Sequence, residues 1–166
     1  MTALILPLIA GGMVFIGSTW LGDVAIWGAK PDLALLVLMV YAHRQGIQRG
    51  QIAGFAIGIL LDLLGASPIG FYAVLGMITG VVAGATKDAF RTDSILAPPM
   101  LALAVMLARS IAAFILSLIL GLNEMRVLLW SAAYLIEIGL NIVLAPIVFL
   151  LVDLLMRRVD RGETRF

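Results

Sequence analysis

Apolar runs of membrane-spanning length follow one another through this chain from end to end. A span needs about 20 mostly apolar residues, with a range of about 17–25. Six stretches are candidates: residues 3–21, 28–42, 50–64, 69–86, 98–120 and 127–156. Composition agrees, since the chain is 63% hydrophobic and 13% charged where an ordinary globular domain has about 45–50% and about 25%. The expectation is an all-α integral membrane protein, a single transmembrane domain over residues 1–166 with six helices in one bundle and no room for a soluble domain. The first run lacks a cationic n-region and a small-residue cleavage site, so it reads as a retained span. The second is short. The apolar stretch after Pro31, a good first-turn residue, spans only if Trp27 to Lys30 extends it or the bilayer thins. The last is long enough for a tilted helix, a helix bent at Pro146, or two half-spans.

Basic residues set the orientation, because Lys and Arg concentrate in short cytoplasmic loops. With six spans and both termini cytoplasmic, Arg44, Arg49, Lys87, Arg91, Arg157, Arg158, Arg161 and Arg165 fall inside, and only Lys30 and Arg126 fall outside. An odd number of spans would put the C-terminal arginines on the wrong side. His43 beside Arg44 then marks the cytoplasmic interface, the C-terminal arginines are a topology signal that binds anionic lipid head groups, and Trp20 and Trp27 suit an outer aromatic belt.

Four glycines, Gly46, Gly50, Gly54 and Gly58, step along one helix face, and the next step lands on Asp62. Residues four apart stack on one side of a helix, so the glycines form a groove without side chains. In a bilayer such a groove admits another backbone at close range, while a carboxylate at its end is costly and suggests function. The turn Leu64-Gly65-Ala66-Ser67-Pro68-Ile69-Gly70 follows at once and falls near the outer surface. Two readings of Asp62 stay open: it holds this turn, or it receives a partner. Further small-residue stripes, Gly76-Gly80-Gly84 and Ala104-Ala108-Ala112, imply a tightly packed bundle, with an exposed docking face as the alternative for each.

Arg109 lies about halfway along the fifth run and Glu137 a similar distance along the sixth, about 16 Å from Pro98 and about 15 Å from Val127 at 1.5 Å per residue. Lone charges at that depth cost several kcal/mol unless partnered, so the expectation is an Arg109–Glu137 pair clamping the two helices. Tyr134 and Asn141 share a face with Glu137 at helical spacing, and Pro146 leaves the carbonyl of Ile142 without its usual donor. This stripe is either a hydrogen-bonded clamp or the lining of a polar cavity for a ligand or ion. Catalysis finds no support: the single histidine falls across the membrane from Ser67, so no dyad forms. Zero cysteines exclude a disulfide framework and thiolate chemistry, and no metal-ligand spacing is present. No catalytic residue, metal or cofactor is expected.

The order Pro31-Asp32-Leu33 opening a short apolar helix, a basic loop, a glycine-striped helix ending in Leu61-Asp62-Leu63-Leu64, and then Gly65-Ala66-Ser67-Pro68-Ile69-Gly70-Phe71-Tyr72 resembles the MreD family of bacterial rod shape-determining membrane proteins. The specific part runs from Pro31 to about Gly84, and size, span number and charge layout extend the likeness over the whole chain. The resemblance implies a non-enzymatic scaffold of the elongasome, which directs lateral peptidoglycan synthesis from the bacterial cytoplasmic (inner) membrane. It implies as partners an MreC-like bitopic protein and, through it, the RodA glycosyltransferase with its class B penicillin-binding protein and MreB filaments. A homodimer through a small-residue face is a further expectation, the lipid bilayer is the surrounding partner, and nucleic acid is not one. Gly50, Gly54, Gly58, Asp62, Ser67, Pro68 and Gly70 would form the partner-docking face; Arg109, Tyr134, Glu137 and Asn141 would form the intramembrane clamp. The family also resembles in fold the substrate-binding S components of energy-coupling-factor vitamin transporters, which supplies the alternative function: an outward-open ligand cavity lined by Asp32, Asp62, Arg109, Tyr134, Glu137 and Asn141.

Overall fold

The computed structural model describes residues 29–64, 68–87, 96–123, 127, 129 and 131–163, with backbone alone at 153 and 155–163. The expected first span, Trp20, Trp27, Ser67 with its neighbours Gly65 and Ala66, Arg91, Arg126 and Arg165 lie outside the described residues. So do the side chains of Arg157, Arg158 and Arg161.

Among the described residues the chain is all-helical: α1 (Leu33–Gln45), α2 (Ile47–Leu64), α3 (Phe71–Ala85), α4 (Ala97–Ile119) and α5 (Ala132–Glu163). Three stretches are long and apolar enough to cross a membrane, Ile47–Leu64, Ala97–Ile119 and Ala132–Val152. Helices α1 and α3 are shorter, about 20 and 22 Å at 1.5 Å per residue, against a hydrocarbon thickness of about 30 Å.

The short length of α1 has a local cause. Residues 29–32 do not extend it, because Asp32 is its N-cap: the side chain accepts a hydrogen bond from the Leu35 N–H at 2.9 Å, filling one of the first-turn donors that a helix start leaves unpaired. Pro31 lies one residue before the cap rather than in the first turn, and its carbonyl accepts from the Leu33 N–H. At the other end Gly46, with φ +91°, ends α1 and lets α2 begin at Ile47. That start places Arg49 inside α2, where its guanidinium donates to Gln45 Oε1.

Helices α2 and α3 run antiparallel with their glycines face to face. A Cβ on Gly54 would sit on the backbone of Gly76, one on Gly50 would meet the Gly80 carbonyl, one on Gly84 would meet the backbone of Gly46 and Ile47, and one on Gly58 would strike Tyr72 and Ala73. Lipid supplies no hydrophobic drive between helices, so backbone approach of this kind, and the dispersion contacts it brings, holds the pair together. The alanine stripe of α4 behaves otherwise: Ala104 is exposed and Ala108 and Ala112 are half-buried, while the buried face runs through Leu101, Ala102, Val105 and Met106.

The main core joins α1, α3, α4 and α5 through Leu36, Met39, Val40, Ala83, Val105 and Phe149 among others. Helix α5 continues through Pro146 as one element. Its Phe149 ring lies 5.7 Å from that of His43, so residues 157–163 extend beyond the level of His43. His43, Arg44, Arg49 and Lys87 thus gather at one end of the bundle, and Asp62, Pro68 and Gly70 lie at the other.

Candidate functional site

Two groups of polar side chains stand out from the apolar packing. The first is Asp62, which is 3% exposed at the end of the glycine face. Helix α3 starts at Gly70, whose φ of +101° is left-handed and whose missing side chain cannot cap. Asp62 supplies the cap from the preceding helix. Its Oδ2 accepts the Gly70 N–H at 2.9 Å and the Ala73 N–H at 3.1 Å, and its Oδ1 accepts the Tyr72 N–H at 2.8 Å. The Phe71 N–H donates to the Pro68 carbonyl. Orphan donors of the first turn are thereby satisfied, and a carboxylate at a helix N-terminus is favoured by the helix dipole.

This geometry bears on the expected docking face. Gly50, Gly54 and Gly58 are filled by α3 of the same chain, because α3 returns antiparallel to α2 and the second glycine stripe matches the first in register. That face is therefore closed to a partner's helix. Asp62 spends both oxygens on backbone donors. Of the remaining expected residues, Pro68 is exposed, Gly70 is half-buried, and Ser67 is not among the described residues. Ile69 between them is 83% exposed.

The second group sits where α1 begins, midway along α4 and in the first third of α5. Arg109 Nη1 donates to Asp32 Oδ2 at 2.8 Å. The Asp32 N–H donates to Asn141 Oδ1 at 3.0 Å, and Asn141 is fully buried. The Asn141 amide also faces Met106 Sδ at 3.9 Å. The Tyr134 and Ser110 hydroxyls share a hydrogen bond at 2.7 Å, and Ser110 Oγ also lies 2.7 Å from the Met106 carbonyl. The expected Arg109–Glu137 ion pair is replaced by Arg109–Asp32. The reason is the late start of α1, at Leu33: its N-cap carboxylate lands at the depth of Arg109, 2.8 Å from the guanidinium.

Glu137 makes no hydrogen bond or ion pair among the described residues. It lines a cavity of about 110 Å3 together with Tyr72, Arg109 and Tyr134. A smaller space of about 20 Å3 also borders Arg109, bounded by Asp32, Tyr72 and Thr79, about the volume that one water needs. Sequence reasoning grouped Asp32 with Arg109 and Asn141 only as cavity lining in the alternative reading, and missed it as the ion-pair partner of Arg109. The Pro-Asp-Leu order before an apolar run was the available signal, since it marks Asp32 as an N-cap whose helix cannot extend backwards.

At the basic end, His43 is buried and its Nδ1 lies 2.8 Å from Thr86 Oγ1. The Thr86 hydroxyl donates to the Ala83 carbonyl at 2.7 Å, so the His43 Nδ1–H donates to Thr86. The residue expected to mark an interface is thus also a tie between α1 and the end of α3. No group of three or more His, Cys, Asp or Glu side chains able to hold a metal occurs among the described residues.

No curated protein and no solved structure matches the chain, and the S-component likeness gains no support from them. The family model of rod shape-determining protein MreD matches residues 2–159. A match over almost all of 166 residues, on a helical chain with bilayer-length apolar elements, shows that this is a cell shape-determining membrane protein and that the chain belongs to the MreD family.

Proposed function

We propose that this chain is a non-enzymatic, multi-pass scaffold of the bacterial inner membrane that binds an MreC-like bitopic protein and, through it, coordinates lateral peptidoglycan synthesis. The family match carries this reading. We place both termini in the cytoplasm with six spans, which puts His43, Arg44, Arg49 and Lys87 on the inner side and the Asp62 turn on the outer side. RodA with its class B penicillin-binding protein and MreB filaments are proposed as indirect partners, and self-association as a further contact.

The packing of α2 on α3 shifts where the partner can dock. With Gly50, Gly54 and Gly58 covered, the surface that remains of the expected face is its outer rim: Pro68, the exposed Ile69 and Gly70, backed by Leu63 and Leu64, each 66% exposed. Asp62 would act there as the group that holds the rim in shape rather than as a contact. A photocrosslinking residue at position 69 should then capture the membrane helix or outer juxtamembrane segment of an MreC-like protein in cells, and one at position 54 should not. Capture only from α4 or α5, at position 111 or 143, would overturn this docking surface.

A further inference from the structure

We propose that the cavity between α3, α4 and α5 is a binding site for a small organic ammonium compound, with Glu137 as its counter-charge. The charges around the cavity set the argument. Arg109 and Glu137 both line it, but Arg109 already holds Asp32 at 2.8 Å. Asp32 is oriented in turn by the Leu35 N–H and by Asn141. Two carboxylates thus face one guanidinium, and Glu137 shares at longer range the single positive charge that Asp32 holds directly. The nearby Tyr134 hydroxyl is taken up by Ser110, 2.7 Å away.

Two carboxylates on one guanidinium leave an excess negative charge among membrane helices, where charge is costly, and a cation in the cavity offsets it. The walls select which cation. Phe71 and Tyr72 pack edge to face, with centroids 5.5 Å apart and planes at 90°, and with Leu75 they give the cavity aromatic and aliphatic surface. Aromatic faces attract ammonium groups. A divalent metal needs six or more oxygen ligands, and one carboxylate with two phenols falls short. A free anion would meet a guanidinium that is already paired and a bare carboxylate. A compact alkylammonium matches all three features: one charge for Glu137, ring faces for the ammonium, and apolar walls for the carbon chain.

The inference does not depend on the scaffold reading, and its test contains no protein partner. The full-length protein in lipid nanodiscs is titrated with n-butylammonium, n-butanol and butyrate, with saturation-transfer NMR as the readout. Saturable binding of n-butylammonium is expected, with n-butanol and butyrate at least about tenfold weaker, a gap of about 1.4 kcal/mol. Glu137→Gln should lower n-butylammonium affinity by about the same factor, and Glu137→Asp should restore part of it. Equal binding of the ammonium and the alcohol by the unmodified protein, or no saturable binding at all, overturns the proposal whether or not the variants fold. Unchanged ammonium affinity in a monodisperse Glu137→Gln protein overturns it too.

Discussion

Asp62 accepts three backbone N–H groups on two carboxylate oxygens, and an amide offers only one oxygen. Asp62→Asn must leave at least one of these donors unpaired or turned against an NH2 group, which costs about 1–3 kcal/mol. A lower melting temperature in detergent is the expected result, with hydrogen exchange rising first at the start of α3. Asp32 and Arg109 obey the same logic at greater depth. Removing one member strands the other, at about 3–5 kcal/mol, whereas removing both is milder. The double variant Asp32→Asn with Arg109→Gln should therefore unfold at a higher temperature than Arg109→Gln alone. A double variant less stable than that single one would show that the pair does not act as a unit.

At the scale of elements, the glycines divide sharply by surroundings. Gly54 and Gly76 face each other with no room for a methyl group, whereas a Cβ on Gly139 in α5 meets nothing within 4 Å. Gly54→Ala should push α2 off α3 and cost about 1–3 kcal/mol. Gly139→Ala should be neutral or stabilise by up to about 1 kcal/mol through helix propensity alone. Thermal unfolding of the two variants side by side checks this, and equal effects would mean that the glycine pairing is not what joins α2 to α3. The stripe at Gly46, Gly50, Gly54 and Gly58 was legible in the sequence as a close-approach face, but its occupant was not. Four-residue spacing states that some backbone comes near. Only the register of α3, set by the turn at 68–70, decides that the backbone belongs to the same chain.

For the whole molecule, the gathering of His43, Arg44, Arg49 and Lys87 at one end of the bundle gives a single orientation to test. The chain has no cysteine, so introduced ones report without background. In intact cells, Ile69→Cys should react with a membrane-impermeant maleimide applied from outside, and Lys87→Cys should react only after permeabilisation. The opposite pattern would invert the proposed topology. Among the described residues, two short helices, α1 and α3, stand beside three of bilayer length. The start of α1 therefore brings an N-cap carboxylate to the depth of mid-helix residues, and the buried network around Asp32 follows from that length difference.

Apolar runs, basic loops and glycine spacing are local or periodic properties, so the sequence alone determined a helical membrane protein with a close-packed glycine face and charged residues at depth. It also carried the likeness to the MreD family, because the Asp62-to-Gly70 element is contiguous. Pairing between distant helices is not written in any period. That Asp32 rather than Glu137 holds Arg109, and that α3 rather than a partner fills the glycine groove, follow from where each helix begins and how far it runs. Those lengths place each charge within reach of one neighbour, and only the tertiary structure decided which.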